Sequence, residues 1–134
     1  NILKRGKLNI MVSDQETISS WRMKAIKEKM LLKESRERAK KIAKKCALHL
    51  AKKYRIKKAY LIGSSVGMST FHHYSDIDLL IVGLKPELYF RALAEIYRFL
   101  PKGSELDLIP WEDAHEEIKE RATTEGEILY EKPL

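Results

Sequence analysis

Two aspartates, Asp76 and Asp78, stand two positions apart at the start of an apolar run that continues to Val82. Residues two apart in a β-strand point to the same face, so a strand here would aim both carboxylates at one point while Ile77 faces the core. Two like charges side by side at the start of an apolar strand are unfavourable unless a cation lies between them. The pair therefore predicts a site for a divalent cation.

A third carboxylate, Asp107, lies in an alternating stretch in which Leu106 and Leu108 would face the core. Because carboxylate oxygens are hard ligands, the three aspartates favour Mg²⁺, with Mn²⁺ as an alternative. Three carboxylates can hold two such ions about 3.5–4 Å apart, an arrangement suited to phosphate chemistry. Asp107 is therefore the candidate third metal ligand.

Gly63 and Ser64 follow another apolar run, residues 59–62, which has the length of a buried strand. The chain turns there at a residue without a side chain and presents a hydroxyl group and backbone amides. Amides at such a turn, and the positive end of a helix that begins there, suit a triphosphate. Gly63 and Ser64 are the candidate phosphate-binding residues.

The N-terminal part of the chain predicts a long helix. Ser13 and Glu16 have the spacing of a capping box, and residues 17–54 contain neither glycine nor proline. Apolar residues recur there at three- and four-residue steps, which indicates a buried helix face. Its members are Ala39, Ile42, Ala43, Cys46, Ala47, Leu50 and Tyr54.

The remaining pattern predicts a helix over residues 86–100, a strand over 105–109, a helix capped by Asp113 and Glu116, and a short strand over 128–130. The predicted class is therefore α/β (α+β): a small mixed β-sheet of three to four strands packed with helices, plus a long N-terminal helical extension. We expect a single domain over residues 1–134, with a basic extension at 1–36 and a catalytic core at about 40–131.

The composition restricts the setting. No apolar run has the length of a transmembrane helix or a signal peptide, so we expect no membrane association and a cytoplasmic protein. Cys46 is the only cysteine, which excludes an intrachain disulfide and predicts a small buried residue.

Charge is unevenly distributed along the chain. Residues 1–58 hold 19 Lys/Arg and 5 Asp/Glu, a net charge of +14, whereas residues 59–134 hold 7 and 14, a net charge of −7. Such a basic half suits nucleic acid, an acidic partner protein or substrate phosphates, but equally a solvated helix face. Its helix could also pair with a second copy, which would make an oligomer. The charge alone does not choose among these alternatives.

The Gly63-Ser64 turn after an apolar strand, the Asp76-Ile77-Asp78 motif at the start of the next, and the later Asp107 resemble the minimal nucleotidyltransferases of the DNA polymerase beta superfamily. The resemblance covers about residues 40–131. Within it, the segment after Ser64 lacks the arginine that many members carry there.

This resemblance implies the nucleotidyltransferase fold and transfer of a nucleoside monophosphate, AMP from ATP, to an acceptor hydroxyl. Asp76 and Asp78 would hold two Mg²⁺ ions on the triphosphate, and Asp107 would bind the second ion and help to deprotonate the acceptor. Similar minimal enzymes are antitoxins that adenylylate a helical toxin of the HEPN class, which suggests a protein acceptor.

Two other readings stay open. The chain could be a nucleic-acid-binding or partner-binding module with weak or no catalysis, or Asp76 and Asp78 could be a turn cap and a solvated strand residue. His72, His73 and Tyr74 lie between the motifs, where solvation or packing is the expected role.

Overall fold

The computed structural model describes the backbone of residues 2–62 and 76–134 and the side chains of residues 17–62 and 77–134. Its elements are helix α1 (Ile2–Tyr54), strands β1 (Lys58–Ile62) and β2 (Asp76–Val82), helix α2 (Tyr89–Ile96), strand β3 (Glu105–Pro110), helix α3 (Glu116–Thr124) and strand β4 (Glu127–Glu131). Short 3-10 turns lie at Pro86–Leu88, Tyr97–Phe99 and Trp111–Asp113. The predicted class, a small mixed sheet with helices, is confirmed.

Contacts along the chain group into two compact units, Asn1–Glu34 and Ser35–Leu134. The first unit is the N-terminal part of α1, where large apolar side chains such as Ile18, Trp21 and Met30 are exposed. The second unit contains the rest of α1 and the whole sheet. The assignment of residues 1–36 as an extension and of 40–131 as a catalytic core stays a prediction.

Helix α1 begins at Ile2, so the prediction that it starts at Ser13 is wrong. Before Ser13 there is no proline, and Gly6 is the only glycine. Helical hydrogen bonding can therefore continue through these residues, because one glycine costs only about 1 kcal/mol. The end of the helix at Tyr54 is as predicted.

The four strands form one sheet in the order β3-β2-β1-β4. Strand β1 runs antiparallel to both β2 and β4, whereas β2 and β3 are parallel. Parallel neighbours need a crossover connection, and α2 lies in it. Gly83, at φ 93°, follows β2 in the left-handed region that favours glycine.

One face of the sheet carries the main core. Small residues of α1, such as Ala43 and Cys46, let the helix pack closely against Leu79 and Ile81 of β2, and Ile96 of α2 belongs to the same cluster. Each fully buried Leu or Ile stabilises the fold by about 1.5–3 kcal/mol. Cys46 is buried as predicted.

The opposite face is covered over part of its length. Tyr60 and Leu80 pack there with Ala122 of α3 and the partly buried Trp111. Trp111 stacks on Tyr60 with 5.9 Å between ring centroids. Trp111 is therefore a packing residue on this face.

The cap predicted for the last helix is wrong. Asp113 lies in the 3-10 turn Trp111–Asp113, and α3 begins at Glu116 after His115, which makes no side-chain capping bond. Ala114 and His115 have extended backbone conformations, so the helix begins two positions later than a cap at Asp113 would require. In the described part of the chain, no helix is both long and apolar enough to cross a membrane.

Candidate active site

Strands β2 and β3 bring two of the predicted aspartates together. Asp78 and Asp107 are direct register partners in this parallel pair, and Leu79 is opposite Leu108 in the next position. Neighbouring strands lie about 4.7–4.9 Å apart, so the two aspartates occupy adjacent positions on the sheet. The convergence of Asp78 with Asp107 that alternation suggested is therefore present in the fold.

Burial alternates around Asp78 and around Asp107, as the sequence predicted. Ile77 and Leu79 are buried around the half-buried Asp78, and Leu106 and Leu108 are buried around the exposed Asp107. The apolar neighbours belong to the core beneath the helices. The two carboxylates consequently lie on the other face, in reach of solvent and a ligand.

On this face, α3 packs against apolar residues that include Ile62, the register partner of Asp78 in β1. Its cluster includes Leu80 and the partly buried Ile109, which are register partners two positions beyond Asp78 and Asp107. Sheet positions that are two apart share a face. Along β2 and β3, this face therefore carries apolar residues at one end and carboxylates at the other.

Glu105 is a further acidic residue at this end of the sheet, and it was not among the residues predicted from the sequence. It is the register partner of Asp76 and lies two positions before Asp107 in β3, with an exposed side chain. The two-residue period that selected Asp107 also applies to Glu105. Its place directly opposite Asp76, by contrast, depends on a strand pairing that no local pattern specifies.

Two tyrosines hold the outer edge of β3, the strand that carries Asp107. The Tyr89 hydroxyl donates to the Leu108 carbonyl at 2.7 Å. The Tyr97 hydroxyl donates to the Leu106 carbonyl and accepts from the Leu106 N–H, both at 3.2 Å. Backbone groups on either side of Asp107 are thereby paired, although β3 is an edge strand.

The environment of Tyr89 keeps its phenol protonated. Burial, and then the negative charge of Asp107, raise the pKa of the Tyr89 phenol. Its hydroxyl therefore retains the proton that it donates to Leu108. Neither tyrosine was selected from the sequence, because their spacing in the helical stretch is also that of ordinary core residues.

The remaining predicted residues are described only in part. Strand β1 ends at Ile62, opposite Asp78, so the chain leaves β1 beside the carboxylates. Gly63 and Ser64 come next but lie outside the described residues, as do His72, His73 and Tyr74. For Asp76, only the backbone position at the start of β2 is described.

The donor set fits a hard divalent cation. Asp78 and Asp107 offer carboxylate oxygens from adjacent positions, the ligand type that Mg²⁺ and Mn²⁺ prefer. No group of three or more candidate ligands for a metal ion occurs among residues whose side chains are described, and the side chain of Asp76 is not among them. The fit therefore stands on the chemistry and register of the two described aspartates.

Several solved structures share the fold of this chain. A toxin–antitoxin complex with AMP-PNP matches at 21% identity with a TM-score of 0.53, over 66% of this chain and 73% of the other. A complex of tri-AMPylated HEPN toxin from Shewanella oneidensis with an MNT antitoxin matches at 19% identity and a TM-score of 0.51, over 69% and 73%. No curated protein matches significantly.

The sequence also matches a family model, described as Polymerase beta, Nucleotidyltransferase, over residues 44–133. This range is well over half of the chain, and it includes β1, β2, β3 and all three predicted aspartates. The chain therefore belongs to the polymerase beta nucleotidyltransferase family.

Proposed function

We propose that this protein is a minimal nucleotidyltransferase that transfers AMP from ATP to an acceptor hydroxyl by a two-metal mechanism. The observation that carries the proposal is the direct pairing of Asp78 with Asp107 beside the end of β1. In a chain of the nucleotidyltransferase family, two carboxylates at adjacent strand positions are suited to binding the cations of a nucleotide triphosphate.

Each predicted residue has a role in this proposal. Asp76, Asp78 and Asp107 would hold two Mg²⁺ ions, and Gly63 with Ser64 would bind phosphate oxygens through backbone amides and a hydroxyl. The bound ions would supply positive charge against the triphosphate. The exposure of Asp107 also leaves its carboxylate accessible to an acceptor hydroxyl.

The transfer itself is a substitution at the α-phosphorus of ATP. The acceptor oxygen forms a bond to this phosphorus while the bond to the leaving pyrophosphate breaks. A carboxylate oxygen of Asp107 accepts the hydroxyl proton. The enzyme contributes position and charge, and the products are an adenylylated acceptor and pyrophosphate.

A hydroxyl on a helical HEPN-type protein is the acceptor that we propose. Support comes from the solved structure of similar fold in which a HEPN toxin is tri-AMPylated and in complex with an MNT antitoxin. By this analogy the present chain would act as the antitoxin, in a soluble compartment such as the cytoplasm.

The proposal is tested by incubating the chain with Mg²⁺, α-labelled ATP and a helical HEPN-type protein as the partner. We expect label on the partner, and loss of at least about 100-fold in Asp107→Asn. Asp113→Asn is the matched control, because this exposed aspartate lies beyond the far end of β3. Unlabelled partner, together with normal nucleotide binding, would exclude this acceptor.

Nucleic-acid binding is a second candidate function, favoured by the exposed cations of α1. Between residues 36 and 54 of this helix there are eight Lys/Arg and one acidic residue. This function is supported if the affinity for single-stranded RNA falls steeply between 50 and 200 mM salt. Such a fall is expected when about six or more phosphates are contacted. If RNA does not bind, or binds with an affinity that salt does not change, nucleic-acid binding is excluded and nucleotidyl transfer is the remaining candidate function.

A further inference from the structure

A groove of about 370 Å³ lies between α1 and the segment that precedes β3. Its apolar floor includes Ile42 of α1, Ile77 of β2 and Pro101. Arg38 and Lys102 line it as well, and both of these side chains are exposed. The groove thus combines an apolar floor with a cationic rim.

The charges of this groove select the kind of ligand that fits it. Arg38 and Lys102 have no acidic residue beside them among the lining residues that the structure describes. An uncharged ligand would leave the two cations unused, and a cationic one would be repelled. The complementary ligand carries negative charge around an apolar group that can fill the floor.

The groove lies at the same ends of β2 and β3 as the carboxylates of the candidate active site. Ile77 stands between Asp76 and Asp78 in β2, and Ser104, another lining residue, directly precedes Glu105 of β3. The groove therefore opens at the ends of β2 and β3 at which the acidic residues lie, on the face that the helices cover.

We propose that this groove docks an acidic segment of the protein acceptor, with one apolar side chain in the floor and carboxylates on Arg38 and Lys102. This inference rests on the proposed transferase function and adds the place where the acceptor binds. A single-stranded nucleic acid fits less well, because the described lining residues include no aromatic ring on which bases could stack.

The test uses the full chain and two synthetic peptides without nucleotide or metal. Acetyl-Asp-Glu-Leu-Asp-Glu-amide is titrated into ¹⁵N-labelled protein, and the same peptide with serine in place of leucine reports on the apolar anchor. We expect saturable shifts at the amides of Arg38, Ile77 and Lys102 with the leucine peptide. The serine peptide should bind at least about fivefold more weakly.

Charge reversal separates the groove from general attraction to a basic protein. The variant Arg38→Glu with Lys102→Glu should weaken the leucine peptide at least about tenfold. The matched control, Lys44→Glu with Lys132→Glu, makes the same change in net charge at exposed residues outside the groove and should leave binding unchanged. Thermal unfolding of both variants verifies that they are folded.

The result for the groove is independent of catalysis. Asp78→Asn with Asp107→Asn should bind the leucine peptide like the wild type, even though we expect it to lose nucleotide transfer. Equal weakening by both charge-reversal pairs, shifts outside the groove, or preferential binding of an oligouridylate at the same amides would overturn the proposal. None of these outcomes would bear on the transferase function.

Discussion

Asp78 and Asp107 occupy directly opposed positions in the parallel pair formed by β2 and β3. They come from strands separated by α2, so their proximity depends on the tertiary fold and not on local sequence. In each strand, the leucines and isoleucines next to the aspartate are buried in the core with α1 and α2. The aspartates therefore lie on the opposite face of the sheet.

The tyrosines at the edge of β3 should stabilise the strand that carries Asp107. We expect Tyr89→Phe and Tyr97→Phe each to lower the free energy of unfolding by about 1 kcal/mol, because each removes a hydroxyl bonded to the β3 backbone. Urea denaturation measures this loss. Tyr130→Phe is the control, since the Tyr130 hydroxyl makes no hydrogen bond within the described part of the chain. If Tyr89→Phe and Tyr97→Phe are as stable as Tyr130→Phe, the two hydroxyl groups do not stabilise β3.

Glu95 should make stability depend on acid pH. Lys53, then His49 and Tyr54, hydrogen-bond its carboxylate and lower its pKa from 4.5 to about 2. A carboxyl whose folded pKa is depressed stabilises the fold above its unfolded pKa and loses this contribution as pH falls through the folded value. The stability gap between wild type and Glu95→Gln should therefore be full above about pH 4.5 and shrink toward about pH 2.

Urea unfolding at a series of pH values measures this gap. Glu87→Gln is a suitable control, because Glu87 is exposed and has no ion pair in the described part of the chain. A gap for Glu95→Gln that stays constant from neutral pH to pH 3 would contradict the role of the network.

Gly126 should not tolerate a side chain. A Cβ atom there would lie 2.5 Å from the Ala122 carbonyl oxygen and 3.0 Å from Cγ2 of Ile62. Because a backbone oxygen cannot move away without disturbing the end of α3, we expect Gly126→Ala to destabilise the protein by about 1–3 kcal/mol. Thermal unfolding measures this loss, with Glu125→Ala as the control because Glu125 is an exposed neighbour. Unchanged stability would contradict the close packing of Gly126 against Ala122 and Ile62.

Cys46 should be unreactive in the folded protein. Burial raises the pKa of its thiol to about 12, so almost no thiolate is available near neutral pH. We expect a disulfide reagent to modify it only at the rate of unfolding. Leu48→Cys, at a position that is 49% exposed on the same helix, should add a thiol that reacts immediately. Rapid labelling of the wild-type protein would refute the burial of Cys46.

The sequence predicted those parts of the fold that depend on local periodicity. Alternation in β2 and β3 correctly separated Asp78 and Asp107 from their buried neighbours, and the helical stripe of α1 correctly included Cys46. It also identified the end of β1 at Ile62. These features follow from burial patterns within one element.

Features that depend on long-range packing were not predictable in the same way. The pairing of Glu105 with Asp76 requires the β2–β3 register, and the Tyr89 contact requires the position of α2 beside β3. Asp113 was wrongly chosen as a cap, because the chain forms a 3-10 turn at Trp111–Asp113 and two extended residues before α3 begins. The roles of Gly63, Ser64 and Asp76 stay predictions.

Calorimetric titration of a non-hydrolysable ATP analogue in the presence of Mn²⁺ tests the central claim most directly, because it needs no acceptor. The wild type and Asp113→Asn should bind the nucleotide only when Mn²⁺ is present. Asp78→Asn with Asp107→Asn should bind at least about 100-fold more weakly. If this double variant binds the nucleotide as tightly as the wild type, the paired aspartates are not the nucleotide and metal site.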